Sequence, residues 1–118
     1  MILADTSVWV DHLRVGDARM ADLLRDGQVL CHPFVVGELA CGSLRRRAEI
    51  LALLADLPQL PAAPNADVMR FIELHRLLGK GLGWVDVHLL CSAFVSHEKL
   101  WTKDRRLADA ATDLGSVI

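Results

Sequence analysis

The chain is sparing with the residues that mark several protein classes. It has no tyrosine, three tryptophans and three phenylalanines, so packing has first claim on its aromatic rings. Its three cysteines, Cys31, Cys41 and Cys91, contain no C-x-x-C pair, and an odd set of this kind is no disulfide framework. Each lies in or beside an apolar stretch, which reads as a reduced core thiol in a cytoplasmic protein. The most apolar run, 87–95, includes His88 and is about half of the ~20 residues that a membrane span needs. No basic leader precedes the first apolar residues, and Asp5 interrupts them at once, which argues against a signal peptide. Neither sign of charge dominates. The net charge of −2 gives no global pull towards nucleic acid, so a polyanionic partner has to be held by a local basic patch or by metal ions. Repeats, low-complexity segments and linkers are absent too.

What remains is 118 residues, 53% hydrophobic and 24% charged, enough for one folded domain and too few for two. That apolar content is generous for the size and predicts some burial between subunits. Short strands are expected over 2–4, 28–31 and 100–102, a last one over 116–118, and an edge strand over 57–60, where Pro58 bars a central place. Helices are expected over 6–14, with Trp9, Val10 and Leu13 facing inward, and over 17–26, stopped by Gly27. A further helix runs from Pro33 to about 43 and continues over 44–55, with Arg45, Arg46 and Arg47 at its start. Residues 66–78 are amphipathic, 86–96 form a nearly all-apolar and therefore central helix, and 104–113 form the last helix. Strands that alternate with helices imply a parallel sheet with helices on both faces. Binding sites in such sheets form beyond the carboxyl ends of the strands.

Four carboxylates keep odd company. Asp5 follows the first strand, Asp104 follows "LWT", and Asp86 opens "DVHLLCSAFV". Each of these aspartates alone suits a helix N-cap. Glu38 does not fit that account. It is the one charge in "PFVVGELACGS", with no Lys or Arg three or four residues away. A buried, unpaired carboxylate costs several kcal/mol or takes up a proton. Glu38 is therefore expected to need a cation, more so if the aspartates gather beside it. Four acids without a His and Cys set at zinc spacing suit Mg²⁺ or Mn²⁺ better than zinc. Such ions can activate a water and stabilise the leaving oxygen of a phosphodiester. Crowding is also expected to raise at least one of the four pKa values.

"LADTSVWVD", the isolated "GEL", "WVDVHLL" and "LWTKDRRL" together resemble the PIN-domain nucleases, and most closely the VapC-type toxins of bacterial toxin–antitoxin pairs. The resemblance runs in order along essentially the whole chain. It implies a three-layer α/β/α sandwich with a short parallel sheet, and a single nuclease domain over 1–118. It implies an Mg²⁺- or Mn²⁺-dependent endoribonuclease, a homodimer, an RNA substrate and a small antitoxin that blocks the acidic site. Carried over one position at a time, Asp5 matches the N-terminal acid, Glu38 the helical acid, Asp86 the acid that opens the core helix and Asp104 the acid after the fourth strand. Thr6, Ser7 and Thr102 match hydroxyl residues that orient ligands. His88 departs from the pattern, since many relatives have a small or apolar residue there.

Lys103, Arg105 and Arg106 flank Asp104 and are candidates for RNA phosphate contact. Arg45 to Arg47 read as a solvated helix face, with phosphate or antitoxin contact as the alternative. Glu73 stands three residues from both Arg70 and Arg76, the spacing of surface helix pairing. "GKGLGW" lacks the spacing of a phosphate loop, and its glycines serve a turn. Trp84 and Trp101 could stack a base, but with so few aromatics they are assigned to core or dimer packing. His12, His32, His75 and His97 show no ligand spacing. Two other readings compete. In a receiver- or phosphatase-like α/β domain Asp5 accepts a phosphoryl group, yet "DTS" offers no second acid and Glu38 goes unexplained. In a non-enzymatic binding module the aspartates only cap helices.

Overall fold

Ile2–Ala4 is a short apolar run that pairs on both sides and forms β1, the centre of the sheet. The computed structural model describes residues 1–116. Val29–Leu30 forms β2 and Lys99–Trp101 forms β3, in the order β2-β1-β3 with both pairings parallel. Leu3 stands opposite Leu30 on one side and Leu100 on the other, and all three are buried. Seven helices join these strands among the described residues: α1 Thr6–Val15, α2 Ala18–Arg25, α3 Pro33–Cys41, α4 Arg47–Asp56, α5 Asn65–Leu74, α6 Trp84–Val95 and α7 Arg105–Asp113. The result is the expected three-layer α/β/α arrangement. No helix among the described residues is long and apolar enough to cross a membrane.

Local chemistry accounts for many boundaries. Asp17 caps α2 by accepting from the Met20 N–H at 2.9 Å. Gly27, at φ 68, turns the chain after α2 into β2. Pro33 opens α3, where its missing N–H costs nothing. In α6 every residue from Val87 to Ala93 is buried, as an all-apolar helix must be.

Several expectations need correction. The 33–55 stretch is two helices, broken at 42–46. Arg45 and Arg46 lie in the turn between them, and Arg46 takes the left-handed conformation at φ 54. The 57–60 segment contributes one parallel bridge, Cys31 to Gln59, in place of a strand, so Asp104 follows the third strand and not a fourth. The 116–118 strand falls mostly outside the described residues; Ser116 itself is irregular. Helix α5 ends at Leu74, four residues early, so Leu77 is buried and Leu78 exposed. Arg70 pairs with Asp67 and not with Glu73. In α1 the inward residues are Val8 and Trp9, while Val10 faces out. Cys31 and Cys91 are buried but Cys41 is exposed.

Candidate active site

Asp5 leaves β1 at its carboxyl end and caps α1. Its Oδ1 accepts from the Ser7 N–H and, at 2.6 Å, from the Ser7 hydroxyl. Its Oδ2 accepts from the Thr102 hydroxyl, which follows β3. Both hydroxyls are themselves held by backbone: Ser7 Oγ accepts from the Lys103 N–H and Thr102 Oγ1 from the Asp104 N–H, each at 3.0 Å. The two loops beyond β1 and β3 are thus stitched together around one buried carboxylate. Capping and site-building are the same act here, because a helix that starts at a strand end places its cap at the sheet edge.

The other acids come from three further helices. Asp104 caps α7 through the Leu107 N–H at 3.0 Å and is exposed. Asp86 is half-buried in the first turn of α6, two residues inside the helix and not at its cap. Its Oδ2 accepts from the Gly83 N–H at 2.9 Å. Glu38 corrects the sequence reading most. It is exposed, so burial does not force a cation on it. What it does have is a 2.6 Å hydrogen bond from the Thr6 hydroxyl, the residue after Asp5.

Electrostatics shows how these four relate. Desolvation pushes the Asp86 carboxyl above its ordinary range. The Gly83 N–H opposes this, and the charges of Asp104, Asp5 and Glu38 all push it further up. Asp86 is where the fields of the other three meet. Among the described residues none of the four is in an ion pair. Nor do any three His, Cys, Asp or Glu side chains among them stand close enough to hold a metal ion. The donor set nevertheless fits a hard dication in kind and in charge: four carboxylates, unneutralised, with Asp86 already resisting ionisation.

Among the candidate cations, Lys103 turns away to Asp11 at 2.8 Å and Asp17 at 3.7 Å. Arg106 lies against Gly81, and Arg105 is exposed without an ion pair among the described residues. His88 is fully buried, 3.2 Å from Asn65 Oδ1, between the rings of Phe34 and Trp84. Burial lowers its pKa, and it serves the core. Trp101 is buried as assigned, whereas Trp84 is 42% exposed. Sequence reading passed over His32, which caps α3 and is buried with Ser92. Its position immediately before a helix-opening proline was the available signal.

A small parallel sheet with carboxylates at its strand ends and on the helices that follow defines an acidic-site α/β protein. The family model described as PIN domain matches residues 2–113, and the chain belongs to that family, with the VapC-type members as its kin. Ribonuclease VapC32 of Mycobacterium tuberculosis, in each of two strains, is 49% identical over 116 residues, which is 98% of this chain and 94% of the relative. The crystal structure of PAE2754 from Pyrobaculum aerophilum shares the fold at a TM-score of 0.67 and 18% identity, covering 99% of this chain and 87% of that one.

Proposed function

We propose that residues 1–118 act as one nuclease domain: a divalent-metal-dependent endoribonuclease that serves as the toxin of a toxin–antitoxin pair in the cytoplasm. The observation that carries this is that the charges of Asp104, Asp5 and Glu38 all act on Asp86, with none of the four in an ion pair among the described residues. The similarity to Ribonuclease VapC32 supports RNA as the substrate. Asp5, Glu38, Asp86 and Asp104 would hold Mg²⁺ or Mn²⁺, directly or through water. When bound, such an ion neutralises charge developing on the phosphate and makes water a stronger nucleophile.

The chain's own residues aim the carboxylates. Ser7 and Thr102 fix both oxygens of Asp5, Thr6 fixes Glu38, and the Gly83 N–H fixes Asp86. A bound dication would favour the charged form of Asp86, which desolvation and the other three carboxylates oppose without it. Arg105 and Arg106, the first two residues of α7 directly after Asp104, are placed to meet RNA phosphates. Lys103 serves this end less directly, since Asp11 and Asp17 hold it.

Two surfaces support the partners. A cleft of about 670 Å³ with an apolar floor of Val10, Leu13, Leu39 and Ile50 is rimmed by Arg14, Arg45 and Arg46. An antitoxin segment seated there would lie along α3, the helix that carries Glu38. Met69, Leu74 and Val95 are exposed around a second hollow between α5 and α6, which suits a second copy of the chain. Wild-type protein should cut a structured RNA with Mg²⁺ and should stop when the ion is chelated. Asp5→Asn and Asp86→Asn should lose this activity. If both variants cut at the wild-type rate, Asp5 only caps α1 and Asp86 only accepts from the Gly83 N–H, roles that Asn fills as well.

A further inference from the structure

Glu38 and Asp86 sit on helices that hardly pack on each other. Helix α3 lies mainly on α1 and α4, and α6 on α5, β3 and α7. A direct hydrogen-bonded tie between the two helices starts at the N-cap of α3. His32 is fully buried. Its Nδ1 accepts from the Phe34 N–H at 3.0 Å, which caps α3. An Nδ1 that accepts carries a lone pair, so in the neutral ring the proton is on Nε2. That nitrogen lies 3.1 Å from Ser92 Oγ on α6. Ser92 in turn donates to the Pro61 carbonyl at 3.3 Å. Every donor in this relay has one acceptor and only one tautomer satisfies it. Beside it, the Phe34 ring meets His88 of α6 at 4.4 Å between centroids.

We propose that His32 is a positioning residue: through its hydrogen bond to Ser92 it sets the separation between Glu38 and Asp86, and with it the affinity of the acidic site for a divalent ion. Burial, and the neighbouring His88, hold the His32 pKa at about 4, so the relay stays intact across the neutral range. The proposal rests on the metal-nuclease reading for its effect on the ion. The hydrogen-bond relay itself does not.

Three variants separate the cap from the strut. His32→Asn keeps a capping acceptor but cannot reach Ser92. Ser92→Ala keeps the cap and removes the strut. His32→Ala loses both. Mn²⁺ binding by calorimetry should weaken about 10- to 100-fold in both His32→Asn and Ser92→Ala. The double variant should be no worse than either single one. Under limiting Mn²⁺ the loss should appear in kcat, with KM for RNA unchanged. Nitrogen NMR of the imidazole should show the Nε2–H tautomer in wild type and in the Glu38→Gln variant alike. An Nδ1–H tautomer overturns the proposal. So does wild-type Mn²⁺ affinity in both strut variants, which would leave His32 a cap. If wild-type protein itself binds no Mn²⁺, the nuclease reading falls as well, an outcome distinct from the other two.

Discussion

The Thr6 hydroxyl donates to Glu38 Oε1 at 2.6 Å, so the first residue of α1 holds a carboxylate on α3. Asp5, one residue earlier, is held by Ser7 and Thr102. A single turn of chain therefore places two of the four acids. Thr6→Val removes the bond to Glu38 while keeping shape. It should lower RNA cleavage about 10- to 100-fold, the usual effect of losing a group that orients a ligand. The melting temperature should barely move, since Glu38 is exposed. Equal loss of activity and stability would make Thr6 a structural residue.

Asp86→Asn keeps an acceptor for the Gly83 N–H and removes a charge that desolvation and three carboxylates resist. A raised native pKa means the folded state binds more protons than the unfolded one above 3.8. Stability from this group is complete below that pH and lost as pH rises through the raised value. The metal-free variant should therefore melt above wild type at pH 7, and the gap should close near pH 3.5. Added Mg²⁺ should raise the wild-type melting temperature at pH 7 and raise that of the variant less. Calorimetric scans at the two pH values test both halves.

His32 gives the opposite slope. Its pKa falls from 6.5 to about 4 on folding, so between these values the unfolded state binds more protons. Stability should drop as pH falls through that window, by up to about 3 kcal/mol, and level off below it. Burial lowers the His88 pKa as well and adds in the same direction. Urea unfolding from pH 7 to pH 4 should show a shallower decline in His32→Asn than in wild type. Parallel curves would mean that the His32 pKa does not change on folding.

Gly81 has φ +76, and a Cβ there would stand 2.7 Å from Arg106 Nη1. Gly81→Ala should cost about 1 kcal/mol in backbone strain, read as a shift in the urea midpoint. Adding Arg106→Ala should relieve the clash but not the strain, so the double variant should recover only part of the loss.

Much of this protein is written locally. An apolar run ending at Asp5, a glycine after Asp26 and a proline opening α3 each act within a few residues, and the structure follows them. The nearly unbroken apolar stretch of α6 could only be a central helix. The order of the four acids along the chain was equally legible, because strand ends and helix starts are short-range features. Long-range packing decided the rest. Glu38 has apolar neighbours in sequence and is still exposed, because periodicity says which residues share a helix face but not what covers that face. Cys41 is exposed for the same reason. Lys103 adjoins Asp104 in sequence yet bonds to Asp11 and Asp17, because α1 and α2 pass beside its loop. The His32–Ser92 hydrogen bond spans sixty residues, and no local pattern records it. The sequence by itself determined which side chains could hold an ion. Only the tertiary structure decided how they are aimed, since aim depends on partners that the chain brings near through folding alone.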